Sequence, residues 1–214
     1  AASLLSGSNL IRRGDVRFRK GPNELAARSD NLLGDIAARI RLMAMTIKNL
    51  HDVPSKPVFI AGDAKRLERI ASLDLDAVVT SPPYLNGTNY YRNTKLELWF
   101  LRALHTQADL AGFRSQTVTA GINDVTAEKV AAPINETVAG LVRMLDAGSY
   151  DRRIPQMAAS YFNDMNKVIG GLETHMKEGA PLMMDIGDSV YAGVHVDTPA
   201  ILTELLSMRG WRNA

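Results

Sequence analysis

The strongest constraint on the fold is the stretch from Asp76 to Tyr84, where a short apolar run meets two consecutive prolines. Residues 77–79 have the composition of a buried strand, and Ser81-Pro82-Pro83-Tyr84 follows almost directly. Proline cannot donate to a sheet and fixes its own φ, so the strand must end here. Ligands bind outside the carboxyl ends of strands in open α/β sheets. The tetrad, residues 81–84, is therefore predicted to form the floor of an active site.

Neighbouring segments predict an α/β fold. Residues 58–61 are predicted to be a buried strand, 64–72 a short helix and 76–81 the next strand. Two apolar strands joined by a short helix indicate a parallel α/β unit. A long helix over 154–177 keeps the 3.6-residue period, and a third strand is predicted over 181–187.

Helical spacing and turn residues predict the remaining elements. Residues 31–50 form a helix with Asp30 as its N-cap and an apolar stripe that packs in a core. A helix over 94–104 packs through Trp99 and Phe100. The other predicted elements are an edge strand within 15–20, a helix from Pro133 to 145, a loop over 188–193, a helix that is capped by Asp197 or Thr198 and ends at Gly210, and a strand beginning at Trp211.

The domain organisation follows from these elements. Residues 1–55 are interpreted as a basic N-terminal segment with its helix, and 56–214 as a catalytic part. The polar, irregular stretch of about 105–150 is interpreted as an insertion. The chain has no initiator Met and ends abruptly, so it is expected to be a piece of a longer protein.

Composition limits the classes of function. The chain has 214 residues, 46% of them hydrophobic, which is enough for one sizeable core. Its net charge of +2 permits a nucleic-acid partner without requiring one. Cysteine is absent, which excludes disulfides and thiolate metal sites, and the four histidines lack metal-ligand spacing. No metal is expected.

No targeting segment is evident in the sequence. No apolar run approaches the roughly 18 residues that a membrane span needs. The first residues lack the basic and apolar regions of a signal peptide. A cytoplasmic protein without membrane association is therefore expected.

The tetrad resembles the catalytic motif of S-adenosylmethionine-dependent DNA amino-methyltransferases. The Ser-Pro-Pro-Tyr form is typical of enzymes that methylate N4 of cytosine, whereas Asp/Asn-Pro-Pro-aromatic forms are typical of N6-adenine enzymes. The resemblance extends over about residues 56–214. It includes the Gly-Asp-Ala that ends the strand before the motif, Tyr-Tyr-Arg at 90–92, Leu-Glu-Leu-Trp at 96–99, Tyr-Phe-x-Asp-Met at 161–165, Lys-x-Gly at 177–179 and Ile-Gly-Asp-Ser at 186–189.

The resemblance implies a role for each residue of the tetrad. An exocyclic amine is a poor nucleophile, and two acceptors facing its hydrogens favour its attack on a methyl group. By resemblance, Ser81 and the Pro82 carbonyl are these acceptors, Pro83 fixes the turn and Tyr84 stacks on the base. The base must flip out of the duplex to reach them.

The resemblance also implies S-adenosylmethionine as cofactor and double-stranded DNA as partner. Asp63 is assigned to the adenine amine of the cofactor. The alternative is that it caps the helix at Ala64, which is compatible with the cofactor role. The residues assigned to the cofactor site are Asp63, Ala64, Thr80 and Ser81. DNA contacts are assigned to Tyr90, Tyr91, Arg92, Lys95 and Arg114, although a solvated surface position is the favoured interpretation of Arg114.

The fold that the resemblance implies is a partial Rossmann-like class I methyltransferase fold with a helical insertion. The Gly-rich cofactor loop of the family and two of its strands are absent from the sequence. A segment outside these residues, or a second chain, is expected to complete the site, and the piece alone is expected to be inactive.

Three other interpretations of the tetrad remain open. One is an N6-adenine DNA methyltransferase, and another is a methyltransferase acting on an RNA base. The third is a non-catalytic nucleic-acid-binding subunit that keeps a relic of the fold. The preferred interpretation is the catalytic half of an enzyme such as those of restriction–modification systems.

Overall fold

The computed structural model describes residues 2–12, 15–49, 56–129 and 131–213. The chain divides into two compact units, one of residues 1–61 and 91–110 and the other of residues 62–90 and 111–214. The division at residue 55 that the sequence suggests, with its insertion, stays a prediction.

The described residues have a mixed α/β architecture with small sheets. Shorter 3₁₀ helices cover Ala64–Arg69, Ile122–Asp124 and Ala127–Lys129. The other elements, in chain order, are α1 (Ala2–Gly7), β1 (Leu10–Arg12), β2 (Val16–Phe18), α2 (Gly21–Ala26), α3 (Leu32–Lys48), β3 (Val78–Thr80), α4 (Tyr90–Asn93), α5 (Lys95–Phe100), α6 (Asp109–Gln116), α7 (Glu136–Gly148), α8 (Arg153–Glu173), β4 (Leu182–Met184), β5 (Ser189–Tyr191), β6 (Val194–Val196) and α9 (Thr198–Met208).

Each sheet of the described residues contains two strands. β1 pairs with β2 and β5 with β6, both antiparallel, whereas β3 pairs with β4 in parallel. The parallel pair joins the strand before the tetrad to the strand after the long helix α8, whereas the sequence predicts the parallel unit from the strands at 58–61 and 76–81. These strands do not join into one continuous sheet. The Rossmann-like fold of the whole domain stays a prediction.

The core of the second unit lies where α7 packs against α8. The side chains of Ile154, Tyr161 and Phe162 on α8 are fully buried, and the two aromatic rings meet edge to face at 5.2 Å. α7 adds Leu145, which is also fully buried. The stretch of 105–150 thus supplies core residues, in addition to surface loops.

Gly171 explains how α8 accepts its neighbour. A Cβ at this position would lie 2.8 Å from the Cβ of Leu67, which is in the 3₁₀ helix Ala64–Arg69. Only a residue without a side chain permits this close approach, and the helix interior tolerates it at about 1 kcal/mol relative to alanine. The long helix runs from Arg153 to Glu173, close to the predicted span of 154–177.

The prediction of a buried strand at 58–61 is wrong. These residues form no regular structure, and the side chain of Phe59 is 91% exposed. An apolar run becomes a strand only when another strand pairs with it, and among the described residues none does. The following segment is a short 3₁₀ helix over Ala64–Arg69, where a helix to residue 72 was expected.

The apolar stripe of α3 is not a core face. The helix spans Leu32–Lys48, and Asn31, whose side chain accepts from the Gly34 amide, caps it in place of Asp30. No described residue of α3 is buried, and Leu33 is 80% exposed. Apolar spacing determines that a helix forms but not what covers it. Leu50 and residues 51–55, where this segment was expected to end, lie outside the described residues.

Three other elements differ from expectation at their ends. The helix predicted over 94–104 is α5, Lys95–Phe100, and both Trp99 and Phe100 are exposed rather than packed in a core. α7 begins at Glu136, because the Asn135 side chain accepts from the Val138 amide and so caps the helix two residues beyond Pro133. No strand begins at Trp211, whose indole instead donates to Glu173.

The predicted loop over 188–193 is part of a hairpin. β5 and β6 are joined by Ala192 and Gly193, which have φ values of 52° and 77°. Two consecutive positive φ values define the tight turn whose twist matches antiparallel strands. The edge strand within 15–20 and the Asp197 cap of α9 are confirmed, since β2 pairs with β1 and Asp197 accepts from the Ala200 amide.

Truncation of Leu145 tests the α7–α8 core. The Leu145→Ala substitution is expected to lower the free energy of unfolding by about 2–5 kcal/mol, because it leaves a cavity at a fully buried site. Urea unfolding followed by circular dichroism measures this change. Met144→Ala is the matched control, because Met144 is the preceding residue of α7 and is 55% exposed. A change in the control as large as that in Leu145→Ala would contradict the assignment of the core.

Candidate active site

The carboxyl ends of β3 and β4 form the base of the candidate site. The parallel register places Thr80 opposite Met184, and the amide of Asp185 donates to the Thr80 carbonyl at 2.9 Å. Ser81 therefore leaves one strand beside the point where Asp185 leaves the other. Parallel pairing brings both side chains to the same edge of the sheet.

The tetrad follows β3 as an extended segment without regular structure. Ser81 is exposed, Pro82 is buried, and Pro83 and Tyr84 are half-buried. The prolines end the ladder as expected, because β3 stops at Thr80. A serine hydroxyl is thus presented at the strand end on a backbone with little freedom to move.

Tyr84 is held at both its backbone and its side chain. Its amide donates to the Tyr90 hydroxyl at 2.9 Å, and its own hydroxyl donates to Oδ2 of Asp185 at 3.0 Å. Ser81 Oγ lies 3.4 Å from the Tyr84 hydroxyl oxygen. The ring edge passes close to Gly187, where a Cβ would lie 3.9 Å from Cδ2 of Tyr84. The ring therefore has a defined position.

The residue after the tetrad is anchored by the β5–β6 hairpin. Leu85 is fully buried, and its carbonyl accepts from the hydroxyls of Ser189 and Tyr191. Burial raises the pKa of Tyr191 to about 12, which keeps its hydroxyl protonated as a donor. The hairpin therefore fixes the backbone immediately beyond Tyr84.

The segment of residues 118–121 supports the same loop from another side. The Gly87 amide donates to the Ala120 carbonyl at 3.0 Å, and Gly87 adopts a φ of 80°. At Gly121 a Cβ would lie 2.9 Å from the Gly87 carbonyl oxygen, so the two backbones touch. This contact requires glycine at position 121.

Two buried carboxylates hold this supporting segment. Asp164 on α8 accepts from the amide and hydroxyl of Thr119, and Asp124 accepts from the amides of Ala120 and Gly121. Burial raises the pKa of Asp124 above its usual value, although the two amide hydrogen bonds oppose this rise. Hydrogen bonds that backbone amides donate to a buried carboxylate fix a loop that has no strand to pair with.

Asp63 serves as a helix cap in the structure. Its carboxylate accepts from the Lys65 amide at 2.9 Å and lies 3.9 Å from the Lys65 ammonium group. Ala64 is the first residue of the 3₁₀ helix that it caps. Among the described residues, no hydrogen bond or ion pair joins Asp63 to the tetrad. The capping alternative is confirmed, and the cofactor role stays a prediction.

The five residues assigned to DNA contacts are divided between the two units. Tyr90 and Arg114 belong to the second unit, where Tyr90 contacts Tyr84 and Arg114 donates to the Val125 carbonyl. Tyr91, Arg92 and Lys95 belong to the first unit. Tyr91 is buried there, while Arg92 and Lys95 lie 3.5 and 2.9 Å from the Asp15 carboxylate. These side chains have internal partners, and their role in DNA binding stays a prediction.

Within the described ranges, no cluster of three or more histidine, aspartate or glutamate side chains is arranged to hold a metal ion. In the same part of the chain, no helix is both long and apolar enough to cross a membrane.

Asp185 was not identified from the sequence, although a signal was available. It directly follows β4, just as Ser81 directly follows β3. Polar residues at the ends of two parallel strands are expected to meet at one edge of the sheet. Ser189 was expected only in a loop at a strand end, and Tyr191 was not singled out. The contacts of both hydroxyls with the Leu85 carbonyl depend on a hairpin that the sequence did not predict.

Two curated proteins are similar to the chain. They are the Type II methyltransferases M.AvaI of Nostoc sp. and of Anabaena variabilis, each 27% identical over 150 residues. The aligned region covers 64% of this chain and only 30% of each relative, so the chain spans under a third of their length. No protein-family profile matches the chain. No solved structure matches it significantly either. This distant similarity supports a relationship to DNA methyltransferases.

A side chain at Gly121 tests the contact that supports the tetrad loop. Gly121→Ala is expected to lower the free energy of unfolding by about 1–3 kcal/mol, because the new Cβ clashes with the Gly87 carbonyl oxygen. Chemical denaturation measures the effect. Gly112→Ala on α6 is the control, since a Cβ there meets no atom within 4 Å and helix propensity favours alanine. Equal effects of the two substitutions would contradict the contact.

Proposed function

We propose that this chain forms the target-base side of the active site of a DNA methyltransferase that modifies an exocyclic amine, most consistent with N4 of cytosine. The observation that carries the proposal is the Ser-Pro-Pro-Tyr tetrad at the carboxyl end of β3, with Ser81 exposed and Tyr84 held in place. The similarity to Type II methyltransferases supports the class. The choice of cytosine N4 depends on serine as the first residue of the tetrad.

The proposed chemistry concerns the amine of the flipped base. Its nitrogen lone pair is delocalised into the ring, so the amine must be drawn toward a tetrahedral form before it can attack a methyl group. The Ser81 hydroxyl and the Pro82 carbonyl accept one amine hydrogen each in this proposal. Two acceptors at fixed positions favour the geometry of the transition state over that of the planar amine.

Tyr84 provides the stacking surface for the flipped base. Flipping costs a few kcal/mol because the base loses its pairing and stacking in the duplex. Stacking on an aromatic ring offsets about 1–3 kcal/mol of that cost. A tyrosine whose backbone amide is already held by the Tyr90 hydroxyl loses little conformational freedom when the base arrives.

S-adenosylmethionine is the methyl donor in this proposal, but the described residues do not form a complete site for it. The Asp63 carboxylate is engaged as a helix cap. In this proposal another segment or a second chain completes the cofactor site.

The proposed DNA contacts require some side chains to change partners. Arg92 and Lys95 share the Asp15 carboxylate, and a phosphate would compete with it for these two cations. All three side chains are half-buried, so the exchange requires that the phosphate replace the interaction that each cation makes with Asp15. Tyr91 is buried and fits a supporting role better than contact with a base.

Transfer of a labelled methyl group tests the proposed function. The full-length protein is incubated with labelled S-adenosylmethionine and either DNA or RNA, and the nucleosides are then analysed. We expect N4-methylcytosine in DNA. N6-methyladenine would show that the target base is adenine, within the same class of enzyme. Label in RNA would show that the substrate is RNA. No label in either nucleic acid would contradict methyl transfer.

Substitution of Tyr84 tests the stacking role. Tyr84→Ala is expected to weaken base flipping by about 1–3 kcal/mol, because the flipped base loses its aromatic surface. Fluorescence of a 2-aminopurine placed beside the target base reports flipping. Tyr150→Ala is the matched control, since Tyr150 belongs to the same unit and is 83% exposed. Unchanged flipping in Tyr84→Ala would contradict the stacking role.

A further inference from the structure

Three oxygen-bearing side chains form a short chain at the edge of the β3–β4 sheet. Ser81 Oγ lies 3.4 Å from the Tyr84 hydroxyl oxygen, which lies 3.0 Å from Oδ2 of Asp185. The Asp185 amide is itself fixed on the Thr80 carbonyl. The carboxylate and the serine therefore lie at opposite ends of one chain of hydroxyl groups.

The chemistry of the three groups fixes where their hydrogens point. A phenol has a single hydrogen, and a carboxylate is a stronger acceptor than a hydroxyl oxygen. The Tyr84 hydrogen is therefore directed to Asp185, and the shorter of the two distances lies on that side. A hydrogen bond between Ser81 and Tyr84 must then use the Ser81 hydrogen.

We propose that Asp185 is a positioning residue which, through the Tyr84 hydroxyl, orients the Ser81 hydroxyl so that its oxygen presents only lone pairs to the amine of the target base. This inference rests on the proposed function and adds to it the residue that sets the hydrogen-bond polarity of Ser81. No proton is transferred along the chain. Asp185 acts on the base only through Tyr84 and Ser81.

A serine at this position needs such an orienting group. A hydroxyl both donates and accepts, so a freely rotating Ser81 would also point its hydrogen at the amine. The carboxylate of aspartate is an acceptor without this ambiguity, and the amide oxygen of asparagine carries no hydrogen and accepts when the NH2 group points away from the amine. A serine that works as an acceptor must therefore have its hydrogen committed elsewhere, and Tyr84 is the group within reach.

The distance from Ser81 to Tyr84 fits this role in a site without its base. At 3.4 Å it is longer than an ordinary O–H···O hydrogen bond. Hydrogen bonds of catalytic groups are often long in the free enzyme and shorten when the site is filled. The target base would contact both Tyr84 and Ser81, so its binding is expected to shorten the distance between their oxygen atoms.

A different role for Asp185 is mechanical, in which it only anchors the Tyr84 ring for stacking. The two roles differ in the step that they affect. An anchor acts on the flipping of the base and on KM, whereas an orienting group acts on kcat after the base has flipped. Tyr84→Phe separates them, because phenylalanine keeps the ring and removes the hydroxyl.

The experiment measures kcat, KM for DNA and 2-aminopurine fluorescence in the full-length protein. We expect Asp185→Ala and Tyr84→Phe each to lower kcat about 10- to 100-fold, the effect of losing a hydrogen bond to a charged group, with flipping unchanged. Asp188→Ala is the matched control, since it removes a carboxylate three residues further along whose partner is His195. We expect its kcat to stay near that of the unmodified protein.

A second background tests the coupling to Ser81. In a Ser81→Asn protein the amide oxygen accepts without help, so adding Asp185→Ala is expected to change kcat less than about threefold. Loss of flipping in Asp185→Ala, or an unchanged kcat, would overturn the inference even if Ser81→Asn is inactive. A different result would contradict the proposed function, namely that the unmodified protein transfers no methyl group at all.

Discussion

The candidate site depends on the parallel pairing of β3 with β4. Each strand has only three residues, yet their register fixes where two separate parts of the chain leave the sheet. Ser81 and Asp185 are 104 residues apart in sequence, and they come together because the Asp185 amide continues the ladder onto the Thr80 carbonyl. Without that pairing Tyr84 would have no carboxylate to donate to.

The tetrad itself is stiff, but its position is determined by groups outside it. The buried carboxylates of Asp124 and Asp164 hold residues 119–121. Within this segment the Ala120 carbonyl accepts a hydrogen bond from the Gly87 amide. The hairpin holds the Leu85 carbonyl on the other side. Several ordinary hydrogen bonds thus support the loop together. Each contributes little alone, so the accuracy of the site depends on their joint action.

Local sequence rules predicted the elements that local interactions determine. The two prolines ended β3, Asp197 capped α9, and the apolar period of α8 matched a helix with fully buried residues. The failures occurred where another segment decides the outcome. Residues 58–61 are apolar enough for a strand but pair with no strand among the described residues. The apolar side chains along α3 are likewise not buried by any described residue.

The site shows the same division. Ser81 to Tyr84 could be identified because the prolines and the aromatic residue are adjacent in sequence. The position of Asp185 after a strand was a signal, but its contact with Tyr84 depends on strand register. The hairpin was not predicted because positive φ at Ala192 was not expected of an alanine. The turn residues that favour a hairpin most strongly are Asn-Gly and Asp-Gly.

The hairpin has a consequence for how this chain can vary in length. Both side chains that hold the Leu85 carbonyl, Ser189 and Tyr191, lie on β5 and point to the same face because they are two residues apart. One residue inserted between them would turn one hydroxyl to the opposite face and release half of the anchor. Related chains that keep this anchor are therefore expected to keep the two-residue spacing from Ser189 to Tyr191 constant.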